Sequence, residues 1–145
     1  MNPTNNSELL CHRINHVLSY TLAGTPLADE NLIIEKDSGV VFEFHNAPVI
    51  NLVLKEGRIW LHTPLQWLDE SQVSSGAALL LEELQHPLPW VVTRQPVLGR
   101  TDKQFELKAL IDEQCFASDS RFGELLDAFY ALSRRLKQRL LPLFD

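Results

Sequence analysis

Residues 48 to 65 read PVINLVLKEGRIWLHTPL, and the period of the apolar residues in this stretch decides the fold class. Ile50, Leu52 and Leu54 alternate with Val49, Asn51 and Val53, and Ile59 and Leu61 alternate with Arg58, Trp60 and His62. A period of two puts successive side chains on opposite faces of a strand, so one face of each run is committed to a core. Lys55, Glu56 and Gly57 separate the runs, and Gly57 can take the positive φ that a short hairpin loop needs. The stretch predicts two antiparallel strands.

Upstream, Val40, Phe42 and Phe44 alternate with Val41, Glu43 and His45, adding a strand before the connection at Asn46, Ala47 and Pro48. Leu32 to Glu35 either adds a further short strand or leads into the sheet. Ser7 to Leu22 changes to the helical period. Leu10, Ile14, Val17, Leu18, Thr21 and Leu22 share one arc there, opposite His12, His16 and Ser19. Gly24 and Pro26 end that helix.

Downstream, Pro64 to Ser75 reads as a loop anchored by Trp67 and Leu68. Ser74 or Ser75 then caps a second helix, running to about Gln85 and stopped by Pro87 and Pro89. Trp90 to Thr93 reads as a strand. Phe105, Leu107, Ala109 and Ile111 alternate with Gln104, Glu106 and Lys108 in another. Ser118 or Asp119 caps the last helix, to about Leu141, with Phe122, Leu125, Leu126, Phe129, Leu132, Leu136 and Leu140 on one arc. Arg134, Arg135, Lys137 and Arg139 crowd its last turns, where cations offset the negative end of the helix dipole, a binding patch being the other reading. The expected fold is α+β, in the order α-β-β-β-α-β-β-α, with a largely antiparallel twisted sheet flanked by helices. One domain spanning 1–145 is expected, with residues 1–6 a flexible lead.

With 45% hydrophobic and 22% charged residues, the chain of 145 is long and apolar enough for a core and unlike a disordered segment. A net charge of -6 repels phosphate backbones, which argues against nucleic acid as a partner. The start MNPTNNSELL lacks the basic and apolar runs of a secretory signal. Apolar runs such as Ala77 to Leu81 reach only five residues, far too short for membrane insertion. Cys11 and Cys115 do not make a stapled secreted scaffold, and both read as small apolar residues. A cytoplasmic location is expected.

Catalytic patterns find no support. His12 and His16 have the spacing of two metal ligands on one helical face, but no glutamate holds the HExxH position and no third ligand stands out. The six glycines form neither GxGxxG nor GxxxxGK[ST], and no GxSxG singles out a serine. Glu82 and Glu83, beside leucines on a helix, read as solvated. The chain is expected to be no enzyme and to carry no cofactor.

Two features ask for more than a plain core. The second helix carries Ala77, Ala78, Leu79, Leu80, Leu81 and Leu84, apolar nearly all round. One side can pack on the sheet, and a second copy is the simplest cover for the rest. Ala77, Leu80, Leu81 and Leu84 are therefore candidate dimer residues, with burial inside one chain as the other reading. The outward face of the early strands holds Val41, Val49, Val53 and Trp60, while the later strand turns mainly polar groups outward. Such residues are either ordinary scattered surface or a site for an extended partner chain. Leu9 and Tyr20, off the first helix's core arc, join those candidates.

PVINLVLKEGRIWLHTPL resembles the central hairpin of class I type III secretion chaperones, particularly the invasion protein B branch. KQFELKALIDEQCFASDSRFGELLDAFYALSRRLK (Lys103 to Lys137) resembles that branch's last strand and final helix. The order of elements agrees from about residue 7 to the end. The resemblance implies a homodimer in the cytoplasm of a Gram-negative bacterium. Such proteins hold the N-terminal region of one or more secreted effectors extended on their surface, keep it export-competent and aid its delivery to the secretion ATPase, with no cofactor. It carries over Val49, Val53 and Trp60 as cargo-contacting positions. Two other classes stand beside it. One is an adaptor or structural component of a secretion apparatus. The other is a small-molecule-binding α+β domain with a pocket lined by Trp60, Trp67, Trp90 and a histidine.

Overall fold

The computed structural model describes residues 49–118 and 120–141, the backbone of 39–42, and His12 and His16, both of them helical. Five strands, β1 (Gly39–Phe42), β2 (Ile50–Lys55), β3 (Arg58–Leu65), β4 (Val97–Arg100) and β5 (Phe105–Leu110), form one antiparallel sheet in the order β1-β2-β3-β5-β4. Helices α1 (Glu70–Ser75) and α2 (Ala77–Leu84) lie between β3 and β4. A 3-10 turn (Glu113–Ala117) leads from β5 into α3 (Arg121–Leu140). This is the α+β class with the antiparallel sheet that the periodicity predicts. The rest of the expected Ser7–Leu22 helix, the Leu32–Glu35 stretch expected as a strand or a lead into the sheet, and Leu9 and Tyr20 lie outside the described residues.

The hairpin forms as its sequence requires. Glu56 and Gly57 take φ of 54° and 74°, the positive values at both central residues that match the right-handed twist of the flanking strands. Lys55 then faces Arg58, and each step inward pairs Leu54 with Ile59, Val53 with Trp60 and Leu52 with Leu61. Ile50, Leu52, Leu54, Ile59 and Leu61 are all buried. The remaining polar group on that face, Thr63, is fully buried and donates its hydroxyl to the Val49 carbonyl at 2.8 Å.

Against this face lies α3. All seven residues of its predicted arc, from Phe122 to Leu140, are buried. Each such side chain contributes roughly 1.5–3 kcal/mol relative to exposure, so the sheet–helix seam is the main source of stability. Phe116 from the 3-10 turn stacks on Phe122 with ring centroids 5.5 Å apart. Cys115 is fully buried beside it, and burial pushes its thiol up to about 12. It is a packing residue.

Three local expectations are corrected. Pro64–Ser75 is no plain loop: β3 runs on to Leu65 and a further helix, α1, is capped by Asp69, while the helix expected from Ser74 or Ser75 to about Gln85 is α2, with Gly76 in place of a serine at its N-cap. The Asp69 carboxylate accepts from the Gln72 amide and the Gln72 side chain accepts from the Asp69 amide, both at 2.8 Å. This reciprocal capping box satisfies two otherwise orphaned donors. The helix then breaks at Gly76, where a Cβ would stand 2.5 Å from Leu140 Cδ2 and 3.0 Å from the Gln72 carbonyl. Second, Trp90–Thr93 is no strand. Trp90 and Arg94 take positive φ of 59° and 63°, which turns the chain, and only Val91 bridges Ile111. The pairing along β5 falls to Val97–Arg100. Third, Glu83 is not solvated. Its side chain is 4% exposed and is held by Arg135 Nε at 3.1 Å and Arg139 Nη1 at 2.8 Å. The basic end of α3 thus fastens α2.

Candidate cargo-binding sheet face

Alternation along β2, β3 and β5 leaves one sheet face away from α3, and register decides which side chains meet there. Val53 faces Trp60 across β2–β3, and Trp60 faces Leu110 across β3–β5. These three half-buried residues make a short apolar row running across the strands. On one side of the row, Lys55 faces Arg58. On the other, Asn51 faces His62, His62 faces Lys108 and Lys108 faces Val97. Val53, Lys55, Glu56, Arg58, Trp60, His62 and Lys108 line a shallow depression of about 350 Å³.

The structure thus brings Val53 and Trp60 together as direct cross-strand partners. Val49 is half-buried on the same parity, but it stands four residues from Val53, about 13 Å at the strand rise of ~3.3 Å per residue. Val41 is placed by the β1–β2 register opposite Asn51. Leu110 stands with Gln104, Glu106 and Lys108 on the outward side of its strand by simple alternation, but only the β3–β5 register makes it the neighbour of Trp60.

His62 stands edge-on to Trp60, ring centroids 6.4 Å apart at 77°, with Nδ1 3.8 Å from Glu106 Oε2. Burial is the largest influence on it and lowers its pKa below 6.5, with Lys108 and Lys55 acting the same way against the opposing pull of Glu106. The unfolded chain therefore takes up the proton first as the pH falls. Stability from this site is complete above pH 6.5 and is lost as the pH drops through the lower folded value. H62Q is expected to remove this component, flattening the stability profile just below neutrality. Chemical denaturation across a pH series checks this, and equal slopes in the two proteins would refute it.

The other candidates separate. On α2, Leu80 is 3% exposed within the chain's own core, whereas Leu81 is 60% exposed. Ala77 is exposed and Leu84 half-buried. Trp90 lines a different depression from Trp60, with Pro87, Arg94 and Glu124. Its indole Nε1 donates to Glu124 Oε2 at 3.0 Å, and the Arg121 guanidinium lies 4.5 Å above its ring. These contacts fasten the turn to α3. Trp67 packs against the core.

His12 and His16 are exposed, and among the described residues no three His, Cys, Asp or Glu side chains come together to hold a metal ion. Among the same residues no helix is long and apolar enough to cross a membrane.

No curated protein matches the chain. A model of the invasion protein B family, which has a secretion-associated, chaperone-like role, matches residues 28–102. The match takes in the whole β2–β3 hairpin, α1, α2 and β4. It extends over more than half of the sequence, and the chain belongs to the invasion protein B family.

Proposed function

We propose that this protein is a cytoplasmic chaperone of a type III secretion system. In this reading it acts as a single domain that pairs with a second copy, holds the N-terminal region of one or more secreted effectors, keeps it export-competent and aids its delivery to the secretion ATPase. The observation that carries the reading is the apolar row Val53–Trp60–Leu110 on the outward sheet face of a family member. An extended chain presents alternating side chains, and a shallow apolar strip can bury several of them without demanding one sequence.

Trp60 and Val53 are the centre of the proposed grip. Val41 and Val49 share the outward register, and Leu9 and Tyr20 complete the proposed set. The proposed dimer contact lies on α2. Leu80 already serves its own core, so Ala77, Leu81 and Leu84 are the residues a partner copy covers.

Trp60→Ala tests the cargo site. It is expected to weaken binding of an effector's N-terminal fragment by on the order of 30-fold, about 2 kcal/mol, as for an interface anchor. Dimer mass and melting temperature should stay nearly unchanged. A lowered melting temperature with unaltered affinity would mean that Trp60 only covers its own sheet.

A further inference from the structure

The charges around the apolar row are unusual for this chain. The protein carries a net charge of -6, yet the depression around Val53 and Trp60 is lined by Lys55, Arg58 and Lys108 against Glu56 alone. Lys55 and Arg58 are exposed and directly opposite each other across β2–β3. Like charges in that position repel and destabilise a hairpin. Neither makes an ion pair among the described residues, unlike Lys108, whose Nζ lies 3.7 Å from Glu106 Oε2. Two cations without an ion pair among the described residues, set along one side of the apolar row, therefore present a site that is half complete. It has apolar surface for side chains to cover, and positive charge at Lys55 and Arg58 that no carboxylate pairs with among the described residues.

We propose that this face selects cargo segments in which apolar side chains are interleaved with carboxylates, the apolar groups covering Val53, Trp60 and Leu110 and the carboxylates meeting Lys55 and Arg58. The inference rests on the reading of this face as the cargo grip and adds the chemistry of what it grips. Rim charges of this kind act more on selection and encounter rate than on bulk affinity.

Two short synthetic peptides test it on the full-length protein. They share one alternating pattern of leucine and valine, with glutamates at the polar positions of one and glutamines in the other. The glutamate peptide is expected to bind on the order of fivefold more tightly, as two partly exposed ion pairs allow. That preference should fade as salt rises from about 0.05 M to about 0.5 M, and it should vanish in the K55Q/R58Q variant, which retains the glutamine peptide's affinity. Equal binding of the two peptides, with both lost on Trp60→Ala, overturns the charge preference and leaves the grip standing. Binding of both that ignores Trp60→Ala, or no binding of either, overturns the grip and this inference together. A preference that survives K55Q/R58Q overturns the assignment to this pair.

Discussion

Replacing Glu83 with leucine is expected to lower the stability of the fold by about 2–3 kcal/mol. The Glu83 side chain is only 4% exposed, and two arginines from α3 complete it. Removing one member of a fully buried ion pair costs about 3–5 kcal/mol, because the partner charge is left without compensation. Here Arg135 and Arg139 keep 44% and 34% of their side-chain exposure and Arg139 still has Glu82 Oε2 at 3.4 Å, so both cations stay partly compensated and the loss is smaller.

Adding Arg135→Met and Arg139→Met should recover part of it, since well-packed apolar replacements of whole ion clusters are near neutral. Burial acts to raise the Glu83 carboxyl, but the hydrogen bonds from Arg139 and Arg135 outweigh it and hold the group below its ordinary 4.5. Its contribution is therefore complete above pH 4.5 and is lost as the pH falls through the lower folded value. Urea denaturation at neutral and acid pH measures both effects. A loss below about 0.5 kcal/mol at neutral pH would put the cluster in the class of surface bridges.

Changing Leu81 to aspartate is expected to shift the protein from dimer to monomer. In the single chain Leu81 is 60% exposed, so a carboxylate there stays in water and costs the monomer little. Only a partner copy lying over α2 would bury it, and an unpaired buried charge costs about 3 kcal/mol or more, over a hundredfold in association. Leu80→Asp provides the contrast. Leu80 belongs to the chain's own core at 3% exposure, so that variant should unfold whatever the oligomeric state. Light scattering over a concentration series, with thermal melts of both variants, separates the two effects. An unchanged mass for a folded Leu81→Asp protein at every concentration would remove α2 from the interface.

Much of this molecule was legible in its residue order. Alternation from Ile50 to Leu61 set the inner face of the hairpin, and Gly57 marked its turn. Spacings of three and four from Phe122 to Leu140 set the buried arc of α3. These are properties of one element at a time, fixed by the strand and helix repeats. The fold class followed, as did the position of Trp60 on an outward face.

What the tertiary structure alone decided are relations between elements. Glu82 and Glu83 are indistinguishable in sequence, yet only Glu83 is buried, because its partners Arg135 and Arg139 come from 52 and 56 residues away. The Trp90 segment held β-forming residues, but positive φ at Trp90 and Arg94 turned it away and left the edge of β5 to Val97–Arg100. Leu110 joined Val53 and Trp60 only through the register of β3 with β5. Periodicity says which way a side chain points. Which distant side chain it meets depends on how the faces pack, and so does the character of the site.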